Sequence, residues 1–330
     1  MAVHNGARFL PAALESVASQ TMRDFELLVI DDGSTDATAD MLAAHAANHP
    51  GTRVYPNERN IGLTASLNRG LGLARSKYIA RLDADDLAMP ERLARQTEFL
   101  DANPDHVFVG SREKVVDASG RSVRRGRGAL TSAETAYLAN FTPPIVHSSA
   151  MIRRSALLDH DLRYDEQFVT AQDFDFWQRL LRIGKGARLG DTLVALRQHD
   201  TSVSRVRRTA QEQNAIAIAQ RSLAENGALS DEGAQAVARF VTVGELDRRY
   251  SAGKVMDLVF DFEAGWISQQ RDAPTEISRI PSLTAGILLK GMSRATLGYT
   301  DRLKMAGELM RGRFFSSSKE LVSIGLRRLI

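Results

Sequence analysis

Residues 25–48, FELLVIDDGSTDATADMLAAHAAN, hold the pattern that decides the fold. Phe25 to Ile30 is an apolar run, interrupted only by Glu26, of strand length that stops at the turn signal Asp31-Asp32-Gly33. Thr35-Asp36 follow, placed to cap a helix from Ala37 to Asn48. A buried strand that turns straight into a helix is half of a strand–helix–strand unit. Leu10 to Gln20 upstream also has helical spacing, so the order is helix, strand, turn, helix.

The alternation continues. A short strand is predicted around Arg53–Tyr55, a helix over Thr64–Ala74, a strand over Tyr78–Leu82, a helix opened by Pro90 and closed near Asn103-Pro104, and a strand at His106–Val109. Strands alternating with crossover helices predict an α/β fold, a mostly parallel sheet flanked by helices, with ligands at the carboxyl ends of the strands. Arg112–Arg127 alternates like a hairpin about Ser119-Gly120, adding antiparallel character, and Asp173–Ile183 and Leu193–Leu196 read as a helix and a last strand. Past Arg205 helix signals dominate. The division expected is therefore a catalytic domain over 1–205 and a C-terminal α-helical extension over 206–330. The chain opens at Met1-Ala2-Val3-His4-Asn5-Gly6 as if on the last residues of a strand, so the first strand is expected to be truncated.

Composition narrows the chemistry. The 330 residues contain 43% hydrophobic and 25% charged side chains, as an ordered globular protein does, and no cysteine. Disulfides, thiolate metal sites and Cys nucleophiles are excluded, and a reducing, cytoplasmic setting fits. Neither a signal peptide nor a run of ~20 apolar residues is evident, so any membrane contact is expected to be peripheral. The net charge is +3, yet from Lys290 onward nine Lys/Arg face three Asp/Glu. Arg302–Ile330 mixes that charge with Leu, Met, Phe and Ile, as an interfacial helix at the inner face of the plasma membrane does and as a packed helix with a solvated basic face also does. Nucleic acid is disfavoured, because no stacking platform accompanies the basic residues.

Chemistry concentrates at Arg81-Leu82-Asp83-Ala84-Asp85-Asp86. Carboxylates at i and i+2 of an extended segment share a side, so Asp83 and Asp85 can face one cleft and Asp86 another. Their repulsion is relieved by a divalent cation, and hard oxygen ligands suit Mg²⁺ or Mn²⁺ carrying substrate phosphates. A solvated turn capping the Pro90 helix is the plainer alternative. Asp32 ends a different strand, where a carboxylate can accept from a base or ribose, although the same residues make a good turn and helix cap. Asp173 likewise suits an N-cap, and lone histidines such as His147 and His199 are more often packed than functional.

The series His4-Asn5-Gly6-Ala7-Arg8-Phe9-Leu10, Asp31–Asp36, Asn60-Ile61-Gly62-Leu63, Asn68-Arg69-Gly70, Arg81–Asp86, His147-Ser148-Ser149 and Gln172-Asp173 resembles the family 2 glycosyltransferases of the GT-A fold, over about residues 1–205. The resemblance implies an inverting transfer of a sugar from a nucleotide diphosphate to an acceptor hydroxyl, in cell-surface polysaccharide or glycolipid synthesis, the acceptor being a carbohydrate or lipid-linked. It places Asp32 on the base, Asp83 near the ribose, Asp85 on the metal and Asp173 as general base, with His4, Asn5 and Ala84 in the nucleotide-sugar site. Arg197-Gln198-His199 is similar to the family's late loop, which implies that Arg197 and His199 contact the donor phosphates and His199 the metal. His147 and Gln172 fall on the acceptor side. His4 replaces the family's usual Tyr, and Gln172 stands where an acid is common. The Gln/Arg-x-x-Arg-Trp motif of processive members is missing, which implies single addition. A nucleotidyltransferase would want a Gly-rich basic loop that His4–Leu10 lacks, and a DxDx[TV] phosphatase would want Thr or Val where Leu87 stands. A non-catalytic nucleotide-sugar-binding or scaffold protein is the remaining alternative.

Overall fold

The structure, a computed structural model, describes residues 1–200, 202, 206–227, 229–270 and 276–295. The fold is α/β, with helix-flanked sheets and further helices after residue 207. The chain divides into two compact units, one of Met1–Thr131 with Pro144–Arg207, the other of Ser132–Pro143 with the residues from Arg208 on.

The first unit opens with β1 (Ala2–Val3), α1 (Leu10–Ala18), β2 (Leu27–Asp31), α2 (Thr38–Asn48) and β3 (Thr52–Pro56). These three strands form a parallel sheet in the order β1-β2-β3. Ala2 and Val3 of β1 lie beside Ile30 and Asp31 of β2. Val29 is fully buried and with Val3, Leu10, Leu14 and Leu42 closes a core between sheet and helices, while Ile30, equally buried, faces the other side of the sheet beside Gly70 of α3 (Leu63–Leu73). Each such side chain contributes roughly 1.5–3 kcal/mol on burial. Gly33, at φ +67°, makes the turn that the strand end requires; a side chain there would strike the backbone of Arg59.

After α3 come β4 (Tyr78–Ala80), β5 (Leu87–Ala88), α4 (Arg92–Ala102), the long β6 (His106–Val116) and β7 (Ser122–Arg125). A 3₁₀ turn (His147–Ser149) leads into β8 (Met151–Arg153), α6 (Arg154–Asp159), α7 (Gln172–Leu181) and β9 (Lys185–Arg197). The second sheet has the order β4-β8-β6-β9-β5, with β7 beside β6. Only β6–β9 is parallel in it; β4–β8, β6–β8, β5–β9 and β6–β7 are antiparallel. Antiparallel pairing therefore takes a larger share than the expected mostly parallel sheet: β8 runs between β4 and β6 antiparallel to both, β5 lies antiparallel to β9, and β7 folds back on β6 through the turn at Asp117–Gly120. Phe108, Phe176, Trp177 and Leu180 pack together at the heart of this unit.

The second unit contains α5 (Ser132–Leu138) and α8 (Arg208–Asn226), α9 (Asp231–Val243), α10 (Ala252–Gln269) and α11 (Ile280–Arg294). α5 lies inside the span 1–205, yet it packs with these helices. Tyr137 on it is fully buried against Phe141, Phe262 and Trp266, and its hydroxyl shares a 2.7 Å hydrogen bond with Thr284. Periodicity names a helix but not its neighbours, so a contiguous boundary near 205 misses this excursion. Arg302–Ile330, with its interfacial-helix composition, lies outside the described residues. Among the described residues no helix is long and apolar enough to cross a membrane.

Candidate active site

The carboxyl ends of β1, β2 and β4 open into a cleft of about 660 Å³. His4, Asn5, Asp32, Asp83, Ala84, Asp85 and His199 all line it.

One end is built on the β2–α2 turn. Asp32 is buried, and its Oδ1 accepts from Asn57 Nδ2 (2.7 Å) and Ile61 N (2.8 Å) while Oδ2 accepts from Gly62 N (2.9 Å). Burial pushes its pKa up, but these donors, with Ser66, carry it below the usual carboxylate range. Asp32 thus stays ionised and clasps the Asn60-Ile61-Gly62 segment. His4 Nδ1–H donates to the Asp32 carbonyl at 2.9 Å, which fixes its tautomer, and Asn5, at φ +51°, accepts from Thr35 N (2.8 Å) while its own N–H donates to Ser34 Oγ (2.9 Å). Two turns distant in sequence are thereby pinned together.

The other end is the acidic loop. Asp83 and Asp85 face the cleft; Asp86 turns inward and is buried. Arg81, two residues before Asp83 and almost wholly buried, grips both Asp83 oxygens with its guanidinium fork. Ser148 is the hub beneath. Its Oγ accepts from Arg81 Nη1 (2.9 Å) and Asp83 N (3.2 Å) and donates to Asp86 Oδ2 at 2.5 Å, with Asp83 Oδ2 3.0 Å away. Asp86 Oδ1 accepts from Arg197 N (2.8 Å), and Arg197 Nε donates to the Asp85 carbonyl (3.0 Å), so the loop is held both from β9 and from the turn before β8. Burial and the neighbouring Asp83 and Asp85 push Asp86 up to about 8. Asp85 is raised as well, first by burial and then by Asp83, against the pull of His199, whose Nε2 lies 2.9 Å from Asp85 Oδ2. The His199 ring rests on Phe9, 4.6 Å between centroids, and the guanidiniums of Arg8 and Arg197 lie 4.7 and 5.0 Å from the centre of the same Phe9 ring.

Ligand oxygens of Asp83, Asp85 and Asp86 lie within 4.8 Å of one another, a hard-donor set that fits Mg²⁺ or Mn²⁺. Of these, Asp83 is engaged by Arg81, Asp85 by His199, and Asp86 is turned inward.

Asp173 is half-buried in the first turn of α7 and does not line the cleft. Burial raises its pKa; Arg81 and the N–H groups of Phe174 and Asp173 lower it, and Asp83 raises it again. The fields of the acidic loop therefore reach this carboxylate. Its segment is moored to α3, where Asn68 Nδ2 donates to Tyr164 O (2.9 Å), Tyr164 N donates to Asn68 Oδ1 (2.9 Å), and Thr64 Oγ1 donates to Phe168 O (3.0 Å). Gln172, buried beside Asp173, and His147 also stand outside the cleft. His147 Nε2 lies 2.7 Å from Tyr164 Oη, the ring packs edge-on to Tyr164 and Trp177, and burial pulls its pKa well down, so it is neutral and braces the aromatic core. Arg81 and Ser148 are the site residues that the sequence does not single out. Arg81 is within reach of a linear rule, because i and i+2 share a side in extended chain; Ser148, which serves a loop 65 residues earlier, has no local signal.

The family model for glycosyl transferase family 2 matches residues 1–160. EpsE of Bacillus subtilis, a putative glycosyltransferase, is 33% identical over 223 residues, covering 67% of this chain and 79% of that protein. The amylovoran biosynthesis glycosyltransferase AmsE of Erwinia amylovora is 27% identical, over 60% of this chain and 74% of its own. In fold the chain is similar to S. aureus TarS 1-349 in complex with UDP-GlcNAc, with a TM-score of 0.58 over 95% of this chain and 91% of that one, at 17% identity.

Proposed function

Since the chain belongs to glycosyl transferase family 2, we propose that it moves one sugar, with inversion, from a nucleotide diphosphate to the hydroxyl of a carbohydrate or lipid-linked acceptor in the synthesis of a cell-surface polysaccharide or glycolipid. One observation carries this reading: a single cleft is lined both by the turns that hold His4, Asp32 and Gly62 and by the acidic loop with Asp83 and Asp85. That polarity suits a nucleotide at one end and its diphosphate at the other. The polysaccharide names among the relatives and the UDP-GlcNAc held by TarS point the same way.

In this reading Asp85, with His199, would hold Mg²⁺ or Mn²⁺, which when bound would supply positive charge for the departing diphosphate. Arg81 keeps Asp83 aimed at the ribose. Arg197 and Asp86 fix the loop that carries Asp85. Asp173 takes the proton from the acceptor hydroxyl as the acceptor oxygen bonds to the anomeric carbon and the bond to the diphosphate breaks on the opposite face. No second acid is needed, because the leaving group departs as an anion.

A screen of nucleotide sugars by thermal denaturation with Mn²⁺ tests this. One donor should raise the melting temperature by mass action in the native chain and fail to do so in Asp85→Ala. A shift that survives in Asp85→Ala, or no shift with any donor, refutes the reading.

A further inference from the structure

We propose that the β6–β7 hairpin is a docking surface for an anionic lipid bilayer. Arg121–Arg127 carries four arginines and no acid. All four are exposed, and among the described residues Arg121, Arg125 and Arg127 enter no ion pair, while Arg124 only approaches Glu113 at 3.8 Å. Asp117, the carboxylate of the hairpin turn, is consumed within that turn, where it accepts from Ser119 Oγ, Ser119 N and Arg121 N.

Charge on an edge strand commonly serves to repel other strands, and among the described residues β7 pairs only with β6. Two features go beyond that. Every cation is a guanidinium, the fork that matches a phosphate oxygen pair. Between them stands Val123, 58% exposed, at the position the β6–β7 register skips: Val115 pairs with Arg124 and Val116 with Ser122. A bulge turns its extra side chain out of the ladder. A bare aliphatic flanked along the strand by arginines fits the phosphate layer of a bilayer with acyl carbon beneath it, whereas an acidic glycan offers the valine nothing.

The position gives the contact a use. Arg197 Nη1 donates to the carbonyl of Ala118 in the hairpin turn (3.2 Å), while Nε of the same side chain holds the Asp85 carbonyl. The hairpin turn is thus tied through one side chain to the acidic loop, to which, on the function proposed above, a lipid-linked acceptor has to come.

Sedimentation of the full chain with phosphatidylglycerol vesicles, against phosphatidylcholine vesicles and without any nucleotide sugar, tests the docking independently of catalysis. The native chain should partition to the anionic vesicles and be released by salt. Joint replacement of Arg121, Arg124, Arg125 and Arg127 by Ser should lower partition on the order of a hundredfold or more, at about one kT or more per charge. Val123→Ser should weaken it less and leave the salt dependence intact. The melting temperature of each variant reports on its fold, and should the fourfold variant melt early, Arg124→Glu with Arg125→Glu replaces it. Equal binding to both vesicle types, or undiminished binding by the folded arginine variant, overturns the proposal. So does binding to soluble alginate without binding to vesicles, which assigns the strip to an acidic glycan.

Discussion

Asp173 and Asp85 are carboxylates whose pKa values burial raises, and the proposed reaction uses them for opposite ends of one displacement. Asp173→Asn keeps the shape and removes the base, so it should lower kcat by about 10²–10⁴-fold while the donor-dependent thermal shift stays intact. Its pKa bears on the pH profile. A base works only when ionised, and a raised pKa moves the acid limb upward. Activity should therefore rise with pH through a value above the ordinary carboxylate range, and the limb should vanish in the residual activity of Asp173→Asn. An unchanged kcat, measured by release of nucleoside diphosphate, removes Asp173 from the mechanism.

The short 3₁₀ turn before β8 has no reacting group, yet it sets the acidic loop. Ser148 Oγ holds Arg81, Asp83 and Asp86 together in a buried place, where a lost partner costs about 1–3 kcal/mol because water cannot replace it. Ser148→Ala should therefore reduce stability by that amount in a denaturant melt. It should also shift the Mn²⁺ dependence to higher concentration, since Asp85 rides on the loop that Ser148 secures. Lower stability with an unmoved Mn²⁺ titration would mean that the turn supports the fold and leaves the metal-binding loop untouched.

Across the chain as a whole, the donor cleft is made from one unit, and the second unit is secured by contacts of its own. Buried Glu134 on α5 receives the guanidinium of half-exposed Arg279. Arg279→Ala should destabilise the second unit by about 1–3 kcal/mol, below the figure for a fully buried pair because water reaches the arginine. It should leave the donor-dependent thermal shift unchanged, as no cleft residue belongs to that unit; a lost shift would contradict this independence. The elements themselves are open to a linear reading. Apolar runs and helical spacing carry β2, its Asp32-Gly33 turn and α2, because such periodicities are set by neighbours a few residues apart. The same rule puts Asp83 and Asp85 on one side, and the residues shared with family 2 mark the cleft. Hidden from it are the grip of Ser148 on Asp83 and Asp86, 65 and 62 residues away, and the passage of α5 into the second unit. Partners of that kind are chosen by how the chain doubles back and which surfaces exclude water, and that information is spread over the packed fold, with no trace in any short stretch of it.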